Sequence, residues 1–133
     1  MTPVFLDTVG LIALWNQSDQ WHDAAETAYN RVVARRQSAV AATFVLLECG
    51  NAAARHTFRG DVCALRRTLE LRNELIVPGN EDWLKAWAAY VRGEAGQAGI
   101  VDHVSFQVMR RLGIAEAFTN DKHFETAGFT VLF

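Results

Sequence analysis

The feature that most constrains this chain is the recurrence of short apolar runs with helix-like stretches between them. Val4-Phe5-Leu6, Ala39 to Ala42, Leu75-Ile76-Val77, Ala117-Phe118-Thr119 and Phe129 to Leu132 each read as a short strand, and most are separated by one or two segments of helical periodicity. Successive strands at that separation pair in parallel through helical crossovers. The expectation is an α/β chain with a central, mostly parallel sheet flanked by helices.

The intervening segments carry helix signals. Val9 to Trp15 is apolar throughout, and Ser18 or Asp19 is placed to cap a helix whose Trp21, Ala25, Ala28 and Val32 share a face up to Arg35-Arg36. Thr43 is expected to cap a helix reaching about Phe58, closed by Gly60, and Asp61 to open the next, with Val62, Leu65 and Leu69 inward. Asn80 caps a stripe of Leu84, Trp87, Ala88 and Val91. A small-residue loop, Gly93 to Gly99, precedes a helix from Asp102 carrying Val104, Val108, Met109 and Leu112, which Gly113 stops. Lys122 to Thr126 reads as a short helical turn.

Composition narrows the class. At 133 residues, 50% hydrophobic and 21% charged, residues 1–133 are expected to form one domain with a continuous core. The longest uncharged stretches, Thr8 to Ser18 and Gln37 to Leu47, fall short of the roughly 20 apolar residues of a membrane span. The N-terminus shows no basic region ahead of an apolar one, so a cytoplasmic protein is expected. Cys49 and Cys63 lack zinc or C-x-x-C spacing and read as reduced structural thiols in apolar surroundings. The net charge of -2 argues against gripping nucleic acid by bulk positive charge alone.

Four acids stand in apolar company. Asp7 follows Val-Phe-Leu, Asp121 lies just past Ala-Phe-Thr-Asn, Glu48 is embedded in Phe44-Val45-Leu46-Leu47-Glu48-Cys49, and Asp102 follows Ile100-Val101. In an open parallel sheet, functional groups gather at the carboxyl ends of the strands, where Asp7 and Asp121 belong. Neither Glu48 nor Asp102 reads as a solvated position. A carboxylate shielded from water needs a cation or donors to replace its lost hydration. An arginine partner or a capping role answers that need for any one acid, Asp102 above all as a helix cap. Four isolated acids with few basic neighbours in sequence favour instead a shared divalent ion, Mg²⁺ or Mn²⁺, both of which prefer carboxylate oxygens.

Motifs with a fixed spacing are missing. Gly93 to Gly99 follows a helix and lacks the G-x-G start of a dinucleotide site; there is no Walker A or G-x-S-x-G, and His22, His56, His103 and His123 form no zinc pair. His103, beside Asp102, is only a weak catalytic candidate. A phosphoaspartate-type phosphatase or receiver using Asp7 wants a second acid two residues on, where Val9 stands. A catalytically silent interaction module is the remaining alternative.

Taken in order, Val4-Phe5-Leu6-Asp7-Thr8, Leu47-Glu48 with Asn51, Val101-Asp102-His103-Val104-Ser105-Phe106, Met109 to Ile114, and Ala117 to Phe124 leading to Ala127-Gly128-Phe129 resemble the PIN-domain family. The likeness is closest to the VapC-type ribonuclease toxins of type II toxin-antitoxin modules, and it spans essentially the whole chain. It implies a three-layer α/β/α arrangement and an endoribonuclease dependent on Mg²⁺ or Mn²⁺. It further implies Asp7 and Asp102 as main metal ligands, Glu48 and Asp121 completing the acidic pocket, and Thr8, Ser105 and Thr119 supporting it. A homodimer, an RNA substrate and a small cognate antitoxin come with the resemblance. In such a site the ion activates a water for in-line attack on phosphorus, so a 5′-phosphate and a 3′-hydroxyl are expected.

RNA needs positive surface. Arg55, Arg59, Arg66, Arg67 and Arg72 cluster against only Asp61 and Glu70, and Arg110-Arg111 follows in the Asp102 helix. As a group they suit phosphate or antitoxin contacts, although any one arginine reads equally well as part of a solvated helix face. If the four acids are set aside as one site, 11 acids remain against 13 basic residues, a mildly basic body around an acidic pocket. Trp15, Trp21, Trp83 and Trp87 read as core or interface residues before base-stacking platforms.

Overall fold

The run Val4-Phe5-Leu6, all buried, forms β1 (Val4–Leu6) at the centre of the sheet in a computed structural model of residues 1–133. Burying side chains of this size contributes roughly 1.5–3 kcal/mol each. The chain then builds α1 (Thr8–Trp15), α2 (His22–Ala34), β2 (Ala39–Ala42), α3 (Thr43–Ala53), α4 (Arg59–Leu71), β3 (Leu75–Ile76), α5 (Asn80–Val91), α6 (Ile100–Leu112), β4 (Glu116–Phe118), α7 (Lys122–Thr126) and β5 (Thr130–Val131). The strands lie in the order β3-β2-β1-β4-β5 and every pair is parallel. This is the expected PIN-like α/β architecture. Helical crossovers between parallel strands place helices on both faces of such a sheet.

The strand order reverses between β1 and β4, which pair with Leu6 opposite Phe118. A crevice therefore opens beyond their carboxyl ends, the usual place for a site in such sheets. The core beneath it is aromatic and aliphatic. Phe106 meets Phe124 edge-on at 4.9 Å, and Tyr29 meets Phe118 edge-on at 5.8 Å.

Element boundaries shift for local chemical reasons. Asp19 does not cap α2; its carboxylate accepts from the Trp21 amide at 2.8 Å in a turn, so the helix starts at His22. Thr43 and Asn80 are the first helical residues after Ala42 and Gly79, not the caps. The helix expected to reach Phe58 ends at Ala53, and the next begins at Arg59, two residues before Asp61. Asp102 lies in the first turn of α6, which starts at Ile100.

One burial expectation needs correction. Cys49 is buried and Cys63 exposed, both free, because Val62 takes the inward position of α4 and turns its neighbour outward. Trp21, Trp83 and Trp87 are exposed, and Trp83, Trp87 and Tyr90 form an edge-to-face series along α5.

Gly10 sets the closeness of α1 to β4. A Cβ there would lie 2.0 Å from the Phe118 carbonyl oxygen, whereas one at Gly50 in α3 would meet nothing within 4 Å. Gly10→Ala is expected to cost about 3 kcal/mol in urea unfolding through overpacking, while Gly50→Ala gains about 0.5–1 kcal/mol from helix propensity. Equal effects of the two substitutions would contradict this packing.

Candidate active site

The site grows from the carboxyl ends of two adjacent strands. β1 ends at Leu6 and delivers Asp7; β4 ends at Phe118 and delivers Thr119, then Asp121. Asp7 and Thr119 are both buried. The Thr119 hydroxyl donates to Asp7 Oδ2 at 2.9 Å and accepts from the Asp121 amide at 3.1 Å, so one side chain ties the two acids together. Asp7 occupies the N-cap position of α1 without capping its second or third amide. Capping therefore does not account for it.

The other acids arrive from helices. α3 follows β2 directly and carries Glu48, which accepts from Thr8 Oγ1 at 2.7 Å. Glu48 is exposed, contrary to the expectation from its apolar neighbours, because it lies on the outward side of a helix whose Val45 and Cys49 point into the core. The first turn of α6 presents Asp102, half-buried, whose Oδ2 takes a long 3.4 Å hydrogen bond from the Gly99 amide. The capping role is thus only partial. One turn on, the hydroxyl of buried Ser105 has no protein partner.

Electrostatics show that the four acids share one field. Burial first, then the charge of Asp102, pushes the Asp7 carboxyl up to about 7, with Asp121 adding to the rise and Thr119 opposing it. Burial, then Asp121 and Glu48, pushes Asp102 up to about 6. No lysine or arginine lies within 4.0 Å of any of the four. The bland explanation, an arginine partner for each, fails here. Behind them burial, with the charges of Asp7 and Glu48, pushes the Cys49 thiol up to about 12, which leaves it an inert neutral packing group.

Ligand atoms of Asp102, Asp121 and His123 lie within 4.8 Å of one another. His123 is a site residue that the sequence reading did not pick out. Asp121 caps α7 by accepting from the His123 amide at 2.9 Å, and its Oδ1 also lies 2.9 Å from His123 Nδ1. The Asp-x-His spacing at a helix start was the available signal. A donor set of carboxylate oxygens with one imidazole, carrying several uncompensated negative charges, fits a hard divalent ion.

The arginines divide. Arg111 grips buried Asp82 with Nη2 to Oδ2 at 2.8 Å, a strut joining α5 to α6, and Arg110 donates to the Ala127 carbonyl and lies over Phe106 and Phe129. Both stay exposed while making these contacts within the chain. Arg66 pairs with Glu70 at 2.8 Å and Arg59 reaches the Ala54 carbonyl at 3.4 Å, while Arg55 and Arg67 make no ion pair.

No family model matches the chain. It is similar to the 23S rRNA-specific endonuclease VapC20 of Mycobacterium tuberculosis in two strains, 32% identical over 131 residues that cover 95% of either protein. The crystal structure of M. tuberculosis VapC20, described as a sarcin-ricin loop cleaving toxin, superposes with a TM-score of 0.77 at 28% identity, covering 96% of each chain.

A carboxyl whose pKa is higher folded than unfolded binds its proton more tightly in the native state. The stability this contributes is complete below the unfolded value and is lost as pH rises through the folded one. With chelator present, the domain is expected to lose stability from about pH 4 to about pH 7, between the ordinary carboxylate value and the raised values of Asp102, about 6, and Asp7, about 7. Asp7→Asn should remove most of this slope and exceed the parent by about 2–4 kcal/mol at pH 8 in urea unfolding. A variant with the parent's pH profile would contradict the placement of Asp7.

Proposed function

The chain belongs to the VapC-type family of endonuclease toxins, and from that premise we propose that it is a divalent-metal-dependent endoribonuclease held in check by a small cognate antitoxin. The observation that supports metal dependence most strongly is the gathering of three further acids with a buried Asp7 and no lysine or arginine to balance them. Mg²⁺ or Mn²⁺ is the ion proposed.

In this reading Asp7, Asp102 and Asp121 hold the ion, with His123 beside Asp121 and Glu48 closing the pocket. Thr119 fixes the orientation of Asp7 Oδ2, and Thr8 does the same for Glu48. The buried Ser105 hydroxyl is free to support the same cluster. A bound divalent ion supplies an activated water and neutralises charge developing on the phosphate oxygens. Arg55, Arg59 and Arg67 are the arginines assigned to RNA backbone contact; Arg66 contributes once released from Glu70.

VapC20 is named for 23S rRNA, and its crystal structure for the sarcin-ricin loop. A structured loop of large-subunit ribosomal RNA is accordingly the substrate proposed for this chain. The exposed series Trp83, Trp87 and Tyr90 on α5 is the face assigned to a homodimer. No helix is long and apolar enough to cross a membrane, in keeping with the proposed action in the cytoplasm.

Asp7→Asn and Asp102→Asn are each expected to lower cleavage of ribosomal RNA at least about a hundred-fold, and Thr119→Val about ten- to a hundred-fold, as for groups that orient a metal ligand. EDTA should abolish cleavage and Mn²⁺ restore it. End mapping should find a 5′-phosphate and a 3′-hydroxyl; a 2′,3′-cyclic phosphate would overturn hydrolysis by water, because it arises from attack by the RNA 2′-hydroxyl.

A further inference from the structure

A second site lies at the far end of the two helices that frame the acids. α1 leaves Asp7 and α3 carries Glu48; the Thr8 to Glu48 hydrogen bond joins them at the acidic end, and the loops that follow each helix meet again at the other. α1 ends at Trp15 and α3 at Ala53, seven and five residues beyond that joint, about 7–10 Å of helix at 1.5 Å per residue. Between the loops is a cavity of about 530 Å³ lined by Trp15, Asn16, Arg55, His56, Phe58 and Asp61, among others. That size is typical of small-ligand sites.

Its wall is a pile of rings. Buried Phe58 stacks with Trp15 at 6.5 Å and 27° and with His56 at 4.9 Å and 13°. His56 is the exposed outer member, so the fold holds a flat ring parallel to a buried support beside the cavity. Asn16 is anchored, its Oδ1 accepting from the Ser18 amide at 3.1 Å. Arg55 supplies a positive charge without an ion pair and Asp61 a carboxylate acceptor. A supported ring face, hydrogen-bonding groups at the rim and one cation match what an unpaired nucleotide presents: a flat base, polar base edges and a phosphate.

We infer that the Trp15–His56–Phe58 cavity is a nucleobase subsite that stacks an unpaired base of the substrate on His56 and selects where the strand crosses the acids. This rests on the endoribonuclease reading for its substrate, although the site itself is testable without catalysis. The His56 side chain makes no hydrogen bond or ion pair and is exposed, so its replacement spares the core. It acts as a specificity and positioning residue, distant from the reacting atoms.

Two measurements on the full chain test it. In EDTA, adding 5′-AMP, GMP, CMP or UMP should shift the His56 ring resonances for at least one base, whereas ribose 5-phosphate, which lacks a base, should leave them in place. No shift with any nucleotide, or an equal shift with ribose 5-phosphate, overturns the inference. With Mn²⁺ and ribosomal RNA, His56→Ala should raise KM roughly ten-fold, within the range for loss of one stacked base. It should leave kcat nearly unchanged, and His56→Phe should restore most of the loss. If the parent cleaves and His56→Ala matches it, the subsite is wrong and the endonuclease reading stands. If the parent fails to cleave while nucleotides still shift His56 selectively, the endonuclease reading falls and the base site stands. Loss of antitoxin inhibition in His56→Ala with unchanged RNA kinetics would overturn the subsite in favour of a protein contact.

Discussion

The constraint on which the rest depends is a carboxylate held out of water at the end of the central strand. Asp7 is only 2% exposed, receives one side-chain hydrogen bond from Thr119, and faces Asp102 and Asp121 with no arginine or lysine in reach. Ionised and unbalanced, such a group opposes folding; protonated, it is a poor ligand. The fold tolerates the conflict because β1 and β4 pair deep in the core, so the site's cost falls at one sheet edge. A bound cation would resolve it.

Much of this was legible in the sequence. Val4-Phe5-Leu6 and Ala117-Phe118 are strands because they are apolar runs without helical period, and the helix-length separations between strands required parallel pairing, as the register shows. The four acids stood out because apolar neighbours make a charge conspicuous. Their convergence was an expectation from the strand ends and the shared-ion argument, but the bonds that hold Asp7 to Thr119 and Thr8 to Glu48 were not legible, since sequence reports neighbours along the chain and not those across the sheet. Glu48 shows the limit: its apolar flanks suggested burial, yet on α3 it projects outward.

Other losses have similar causes. The Arg111 to Asp82 pair was not legible because Asp82 lies 29 residues away, and nothing local reveals that the two meet across α5 and α6. His123 went unnoticed because its partner Asp121 was already assigned and its role emerges only when α6 brings Asp102 alongside. The Trp15, His56 and Phe58 pile joins two loops about forty residues apart, so neither loop alone hints at it. In each case local chemistry identified the group and tertiary contact assigned its partner.

The most direct measurement of the central claim is calorimetric titration of Mn²⁺ into the metal-free chain at pH 6.5, in two buffers of different ionisation enthalpy. Carboxylates raised to about 7 and about 6 must give up protons when the ion binds. About one proton should be released per ion at this pH, falling towards none by pH 9, and Asp7→Asn should lose both the release and most of the affinity. Binding without proton release, or undiminished binding by Asp7→Asn, would contradict the account.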